Sequence, residues 1–89
     1  MTIALTGVEV DAAGEVLVCG GGASLGDWDA AHAVRMTRDG DAWLASLSAS
    51  PDATLTFKFL QRRPDGELIW EAGDNRTAAA AGRIDATWR

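Results

Sequence analysis

Few side chains in this sequence are equipped for bond-making chemistry. The single His32, the serines and the carboxylates of Asp27, Asp29, Glu71 and Asp74 are the candidates for proton transfer or nucleophilic attack. A Ser-His-Asp arrangement needs its base oriented by a partner, and His32 lies between Ala31 and Ala33 in a stretch of loop composition. Paired carboxylates can cleave glycosidic bonds across a cleft. A chain of 89 residues leaves little room for one, and aspartates beside glycines are usually turn formers. One His and one Cys exclude a multi-His site and a Cys-x-x-Cys metal motif. Gly20-Gly21-Gly22-Ala23-Ser24 is glycine-rich, but neither a Gly-Lys-Ser/Thr ending nor a G-x-G-x-x-G spacing follows. No enzyme activity, cofactor or metal is expected.

The tryptophans carry more information. There are four, with no tyrosine. Trp43 opens an alternating strand and Trp88 sits in the last one, so both read as core. Trp28 lies between Asp27 and Asp29, where burial would desolvate charge, so it reads as exposed. Trp70 is ambiguous. Alternation puts it on the face of Leu68, and a four-residue loop at 63–66 sets it beside Phe59. The same register puts Lys58 opposite Glu71, where a cross-strand ion pair accounts for both. The polar loop that follows argues for exposure. Periodicity leaves Trp70 open.

The elements that position these residues are short strands. Thr2 to Val10 alternates, with a parity switch at Thr6-Gly7 that a bulge would absorb. Residues 11–14 read as a turn, and Glu15 to Cys19 as a buried strand. At most one helical turn is expected over Ala30 to Ala33. Val34 to Met36, Ala42 to Ser48, Thr54 to Gln61, Glu67 to Glu71 and Ile84 to Trp88 read as strands. Turns fall at Arg38-Asp39-Gly40-Asp41, Ser50-Pro51-Asp52 and Pro64-Asp65-Gly66, while Ala78 to Gly82 carries little signal. Thr54 to Gln61 is the clearest strand, with Leu55, Phe57 and Phe59 on one face and Thr56 and Lys58 on the other. Six to eight such strands predict a β-sandwich of one domain over residues 1–89.

Composition narrows the partners. A net charge of −5, without blocks of like sign, speaks against nucleic acid and anionic membranes. No apolar run reaches membrane-spanning length. The start Met1-Thr2-Ile3-Ala4-Leu5-Thr6 lacks a basic segment and a long apolar one, so no signal peptide is expected in the chain. Cys19, alone in a valine-rich run, reads as a buried structural thiol.

In order and spacing, Leu25-Gly26-Asp27-Trp28, Trp43, Phe57-Lys58-Phe59, Gly66 with Trp70-Glu71, Asn75-Arg76 and Thr87-Trp88-Arg89 resemble the starch-binding domains. These are family 20 of the carbohydrate-binding modules, found mostly at the ends of glucoamylases, amylases and cyclodextrin glucanotransferases. The resemblance covers essentially the whole chain. It implies an all-β, antiparallel β-sandwich with immunoglobulin-like topology that binds α-1,4-glucans without catalysis. It also implies a site in which Trp28 and Trp70 stack on glucose rings and Lys58 and Asn75 bond sugar hydroxyls. Glu71 lies next to this site as an assisting residue, and Trp43 matches a structural position.

The family's second site typically uses tyrosines, which are absent, and the segment between Trp28 and Trp43 that carries part of it looks shortened. One site is therefore expected. The disulfide of some fungal members cannot form with Cys19 alone. The chemistry suits the ligand: pyranose C–H faces pack on indole planes, while lysine and amide groups meet the hydroxyls. The expected partners are α-glucan polysaccharides or maltooligosaccharides, with a covalently linked amylolytic catalytic domain as a further partner. The alternative is an interaction or regulatory module of the same shape, using the aromatic patch for a protein partner or for glycogen localisation. The location would be cytoplasmic for a stand-alone chain and extracellular for a domain of a secreted amylolytic enzyme.

Overall fold

The computed structural model describes residues 1–10, 14–50, 52–80 and 82–89. Within them the chain forms two facing sheets. The first has strand order β4-β5-β1-β9, and the second has β3-β2-β6-β7 with β8 also on β6. The strands are β1 (Thr2–Thr6), β2 (Glu15–Gly20), β3 (Val34–Arg35), β4 (Thr37–Asp39), β5 (Ala42–Ser46), β6 (Thr54–Arg62), β7 (Leu68–Trp70), β8 (Arg76–Ala79) and β9 (Arg83–Thr87). All paired strands run antiparallel except β1 and β9, which run parallel. The expected sandwich is present.

Period-two alternation builds the core. Ile3 and Leu5 of β1 lie opposite Ala45 and Trp43 of β5. They face Val16 and Val18 of β2 and Leu55, Phe57 and Phe59 of β6 across the sandwich, in one buried apolar cluster. The Phe57 and Phe59 rings meet edge to face, 5.6 Å between centroids. Trp43 and Trp88 pack on the margin of this cluster rather than at its centre, half-buried. The Arg38 guanidinium covers the Trp43 ring at 5.8 Å.

Several element boundaries differ from the sequence reading. The first strand ends at Thr6, because Gly7 takes φ +77° and turns the chain instead of forming a bulge within a longer strand. Val8 and Val10 still pack on the core. β4 and β8 lack strong apolar alternation and form by pairing, β4 with β5 and β8 with β6. The expected turns at 11–14 and 50–52 include residues outside the described ones. The expected helical turn is a three-residue 3₁₀ turn, Ala30–His32, preceded by another at Ala23–Leu25.

β6 positions the site. One edge pairs with β2. The other pairs with β8 over Thr54–Phe57 and with β7 over Leu60–Arg62. Between those two partners the segment 71–75 swings out past Lys58 and Phe59.

Candidate functional site

The outer face of the second sheet brings together most of the residues singled out from the sequence. Lys58 and Leu60 of β6 alternate away from the core residues Phe57 and Phe59. Trp70 is the register partner of Leu60, so it shares this outer face. It is 39% exposed, and Trp28 is 40% exposed. Five residues, 63–67, connect β6 to β7, closed by hydrogen bonds from the Arg63 N–H to the Glu67 carbonyl and from the Gly66 N–H to the Arg63 carbonyl, each 2.8 Å. The expected loop had four. The one-residue difference moves Trp70 from beside Phe59 to beside Leu60, and Glu71 from opposite Lys58 to opposite Phe59.

Trp28 is presented by a tightly folded loop. Residues 21–33 cross the outer face, and Ala30 and Ala33 pack on Leu17, Cys19 and Leu60. The Asp27 N–H donates to the Gly22 carbonyl at 3.0 Å and the Trp28 N–H to the Gly20 carbonyl at 2.8 Å. This fixes Trp28 at the end of β2, next to Cys19, the register partner of Lys58. Three successive residues occupy the left-handed region: Gly26 at φ +82°, Asp27 at +56° and Trp28 at +62°. Glycine is required at position 26, where a Cβ would stand 2.5 Å from the His32 carbonyl oxygen. Asp27 and Trp28 have no such exemption. Left-handed backbone at two adjacent non-glycine residues is strain held by the surrounding hydrogen bonds, and such strain clusters at functional sites. Asp29 caps the Ala30–His32 turn by accepting from the Ala31 N–H at 3.0 Å, and it pairs with His32 Nδ1 at 2.9 Å. His32 is exposed and serves the loop.

Lys58 does not pair with Glu71. Its Nζ donates to the Gly73 carbonyl at 2.8 Å, which leaves two of its three N–H donors for other acceptors. Asn75 is exposed on the loop that this bond ties down.

Glu71 is the residue whose placement departs most from expectation. It points inward, 2% exposed. Its Oε2 accepts from the Phe59 N–H at 2.9 Å, where β6 passes between its two partners. Arg76 completes the pair, Nε to Oε2 at 2.9 Å and Nη2 to Oε1 at 2.6 Å. The Arg76 guanidinium lies 5.0 Å from the Phe59 ring centre and also donates to the Thr87 carbonyl at 2.6 Å. Burial raises the Glu71 pKa, but the hydrogen bonds from Arg76 and Phe59 and the charges of Arg76 and Arg89 outweigh it, so the carboxyl sits below its ordinary value. With both oxygens engaged, Glu71 supports the face from beneath instead of presenting a group to a ligand.

The sequence reading missed the structural weight of Arg76 and of the Gly73 carbonyl. A side chain five residues from Glu71 has no periodic signal, and a carbonyl has no side-chain signature. The thiol of Cys19 is buried, and burial pushes its pKa up. An open cavity lined by Glu9, Val10, Gln61, Arg63 and Ile69 takes none of its walls from the aromatic face.

Known proteins share this family profile and this fold. The sequence profile of the starch binding domain matches residues 1–87. The chain is 30% identical over 67 residues to an AA13 family lytic polysaccharide monooxygenase of Aspergillus terreus, covering 70% of this chain and 17% of that protein. Its fold matches the glycoside hydrolase family 15 glucoamylase of Hypocrea jecorina with TM-score 0.91 at 21% identity, covering 99% of this chain and 16% of the enzyme. It matches the family 20 carbohydrate-binding module of the maltotetraose-forming amylase of Pseudomonas saccharophila with TM-score 0.84 at 21% identity, covering 98% of this chain and 97% of that module. The chain thus spans under a fifth of the monooxygenase and the glucoamylase, and nearly all of the isolated module. A profile match over nearly the whole length, on a two-sheet sandwich with paired exposed tryptophans, places this chain among the starch-binding domains, family 20 of the carbohydrate-binding modules, which bind starch-type α-glucans and are not themselves catalytic.

Proposed function

We propose that the outer face of the second sheet binds α-1,4-glucans, with glucose rings stacked on Trp28 and Trp70 and hydroxyls held by Lys58 and Asn75. The observation that supports this reading best is the pair of tryptophans, each about two-fifths exposed, set on either side of the strand that carries Lys58. Large apolar rings left in water, one of them on strained backbone, are retained for contact with a partner. A curved amylose segment would lay neighbouring glucose rings on two indole planes inclined to each other, an arrangement that a flat glucan chain does not match. Glu71 takes part by holding Arg76 and the backbone of Phe59, without touching sugar.

We also propose that the chain serves as the binding module of a larger polysaccharide-degrading protein. The small fraction of the monooxygenase and glucoamylase that it matches supports this. Such a module raises the local substrate concentration for a tethered catalytic domain.

Stacking one sugar face on an indole removes roughly 50–100 Å² of apolar surface, or about 1–2.5 kcal/mol at ~25 cal/mol/Å². Two platforms and a few hydrogen bonds, less the cost of association, give a Kd between about 1 μM and 1 mM. The test is calorimetric titration with β-cyclodextrin. Trp28→Ala and Trp70→Ala are each expected to weaken binding by about ten- to a hundredfold, with little change in Tm for Trp28→Ala. Normal binding by Trp28→Ala rejects this site. No binding by the wild-type domain favours a protein partner for the same patch.

A further inference from the structure

Asn75 stands on an exposed loop, and what fixes that loop comes from both sheets. From the second sheet, Lys58 Nζ donates to the Gly73 carbonyl at 2.8 Å. From the segment that follows β9 in the first sheet, Arg89 Nη1 donates to the Asp74 carbonyl at 3.1 Å. The segment bearing Arg89 is itself anchored. The Trp88 N–H donates to the Thr6 carbonyl at 2.9 Å, and the Thr87 carbonyl accepts from Arg76 at 2.6 Å. Gly73 has φ +87°, and a Cβ there would lie 3.3 Å from Arg89 Nη1, so a glycine keeps the path of that guanidinium open.

We propose that Arg89 is a positioning residue of the glucan site. It holds the carbonyl immediately before Asn75 from the side away from the ligand, while Lys58 holds the carbonyl before that from the ligand side. The two cations clamp consecutive peptide units and set the direction of the Asn75 amide before sugar arrives. A loop ordered in advance loses less conformational entropy on binding, which appears as affinity. This proposal rests on the assignment of Asn75 to the glucan site.

The experiment is a double-mutant cycle between Arg89→Ala and Asn75→Ala. It is read by β-cyclodextrin titration well below the melting points of all variants, with Trp28→Ala as a control. Arg89→Ala is expected to weaken binding about three- to tenfold, less than the full worth of a hydrogen bond from a charged donor because Lys58 still holds the neighbouring carbonyl, and Arg89→Lys to recover most of it. In the Asn75→Ala background the same substitution is expected to cost less than about twofold, because its effect passes through Asn75. Equal losses in both backgrounds, or undiminished binding by Arg89→Ala while Trp28→Ala fails to bind, overturn the role of Arg89 and leave the site assignment standing. Normal binding by Trp28→Ala overturns both.

Discussion

Trp28 is the residue at which local energy and the proposed role oppose each other. Its φ of +62° costs an L-residue roughly 1–2 kcal/mol relative to glycine. The usual order of helix and strand stability, alanine above glycine, should therefore reverse here. Both Trp28→Ala and Trp28→Gly remove the ring, and the glycine variant is expected to be the more stable by about 1 kcal/mol in urea denaturation. Alanine more stable than glycine would mean that position 28 is not held in the left-handed region in solution. Glu71 gives a second prediction at this scale. Burial raises its pKa, but the Arg76 and Phe59 hydrogen bonds and the nearby arginine charges bring it below the ordinary 4.5. A carboxyl lowered by folding contributes stability that is present above its unfolded pKa and lost as pH falls through its folded one. Melting of the wild type is thus expected to fall below about pH 4.5. Glu71→Gln should remove part of that acid dependence, and near pH 7 it should cost about 3–5 kcal/mol by leaving Arg76 uncompensated.

At the scale of elements, two loops carry Trp28 and Asn75 of the proposed site, and each is braced differently. Residues 21–33 are held by backbone hydrogen bonds onto the end of β2 and by packing on Leu17, Cys19 and Leu60. Residues 72–75 are held by lysine and arginine donors at their carbonyls. The first loop therefore depends on close backbone approach and the second on charged side chains. Gly26→Ala tests the first. Its Cβ would meet the His32 carbonyl at 2.5 Å with φ at +82°, so the loop must move. The expected result is a stability loss of about 2 kcal/mol or more, together with weaker β-cyclodextrin binding in the fraction that remains folded. An unchanged Tm would show that the approach of residues 26 and 32 is looser than the structure has it.

For the whole molecule, the proposed site takes up one sandwich face. Without tyrosines to furnish a second site, one β-cyclodextrin per chain is expected in calorimetry, and a stoichiometry of two would reject this. In the proposed site the ligand is neutral and Lys58 acts as a hydrogen-bond donor. Affinity should therefore change by less than about threefold between low and high salt, since no counterion release accompanies binding. A tenfold loss in salt would point to an anionic ligand. A single site of modest affinity gains little on a granule unless a tethered partner supplies a second attachment.

The class of fold and the exposure of Trp28 were legible in the order of residues. Alternation of Leu55, Phe57 and Phe59 marks a strand with one buried face, because side chains on a strand report their side with period two. The flanking aspartates mark Trp28 as exposed, because charge resists burial. Both signals are local. Trp70 was undecided by its own periodicity, because its face depends on how many residues turn the chain between β6 and β7. Five instead of four shifts the pairing by one, and a one-residue shift exchanges partners across the hairpin. That shift gave Glu71 to Phe59 and Arg76 and gave Lys58 to the Gly73 carbonyl. Tertiary structure alone decided these partnerships. They join side chains to backbone groups and to each other across a hairpin and the loop that follows it, and such contacts leave no periodic pattern in a chain read one residue at a time.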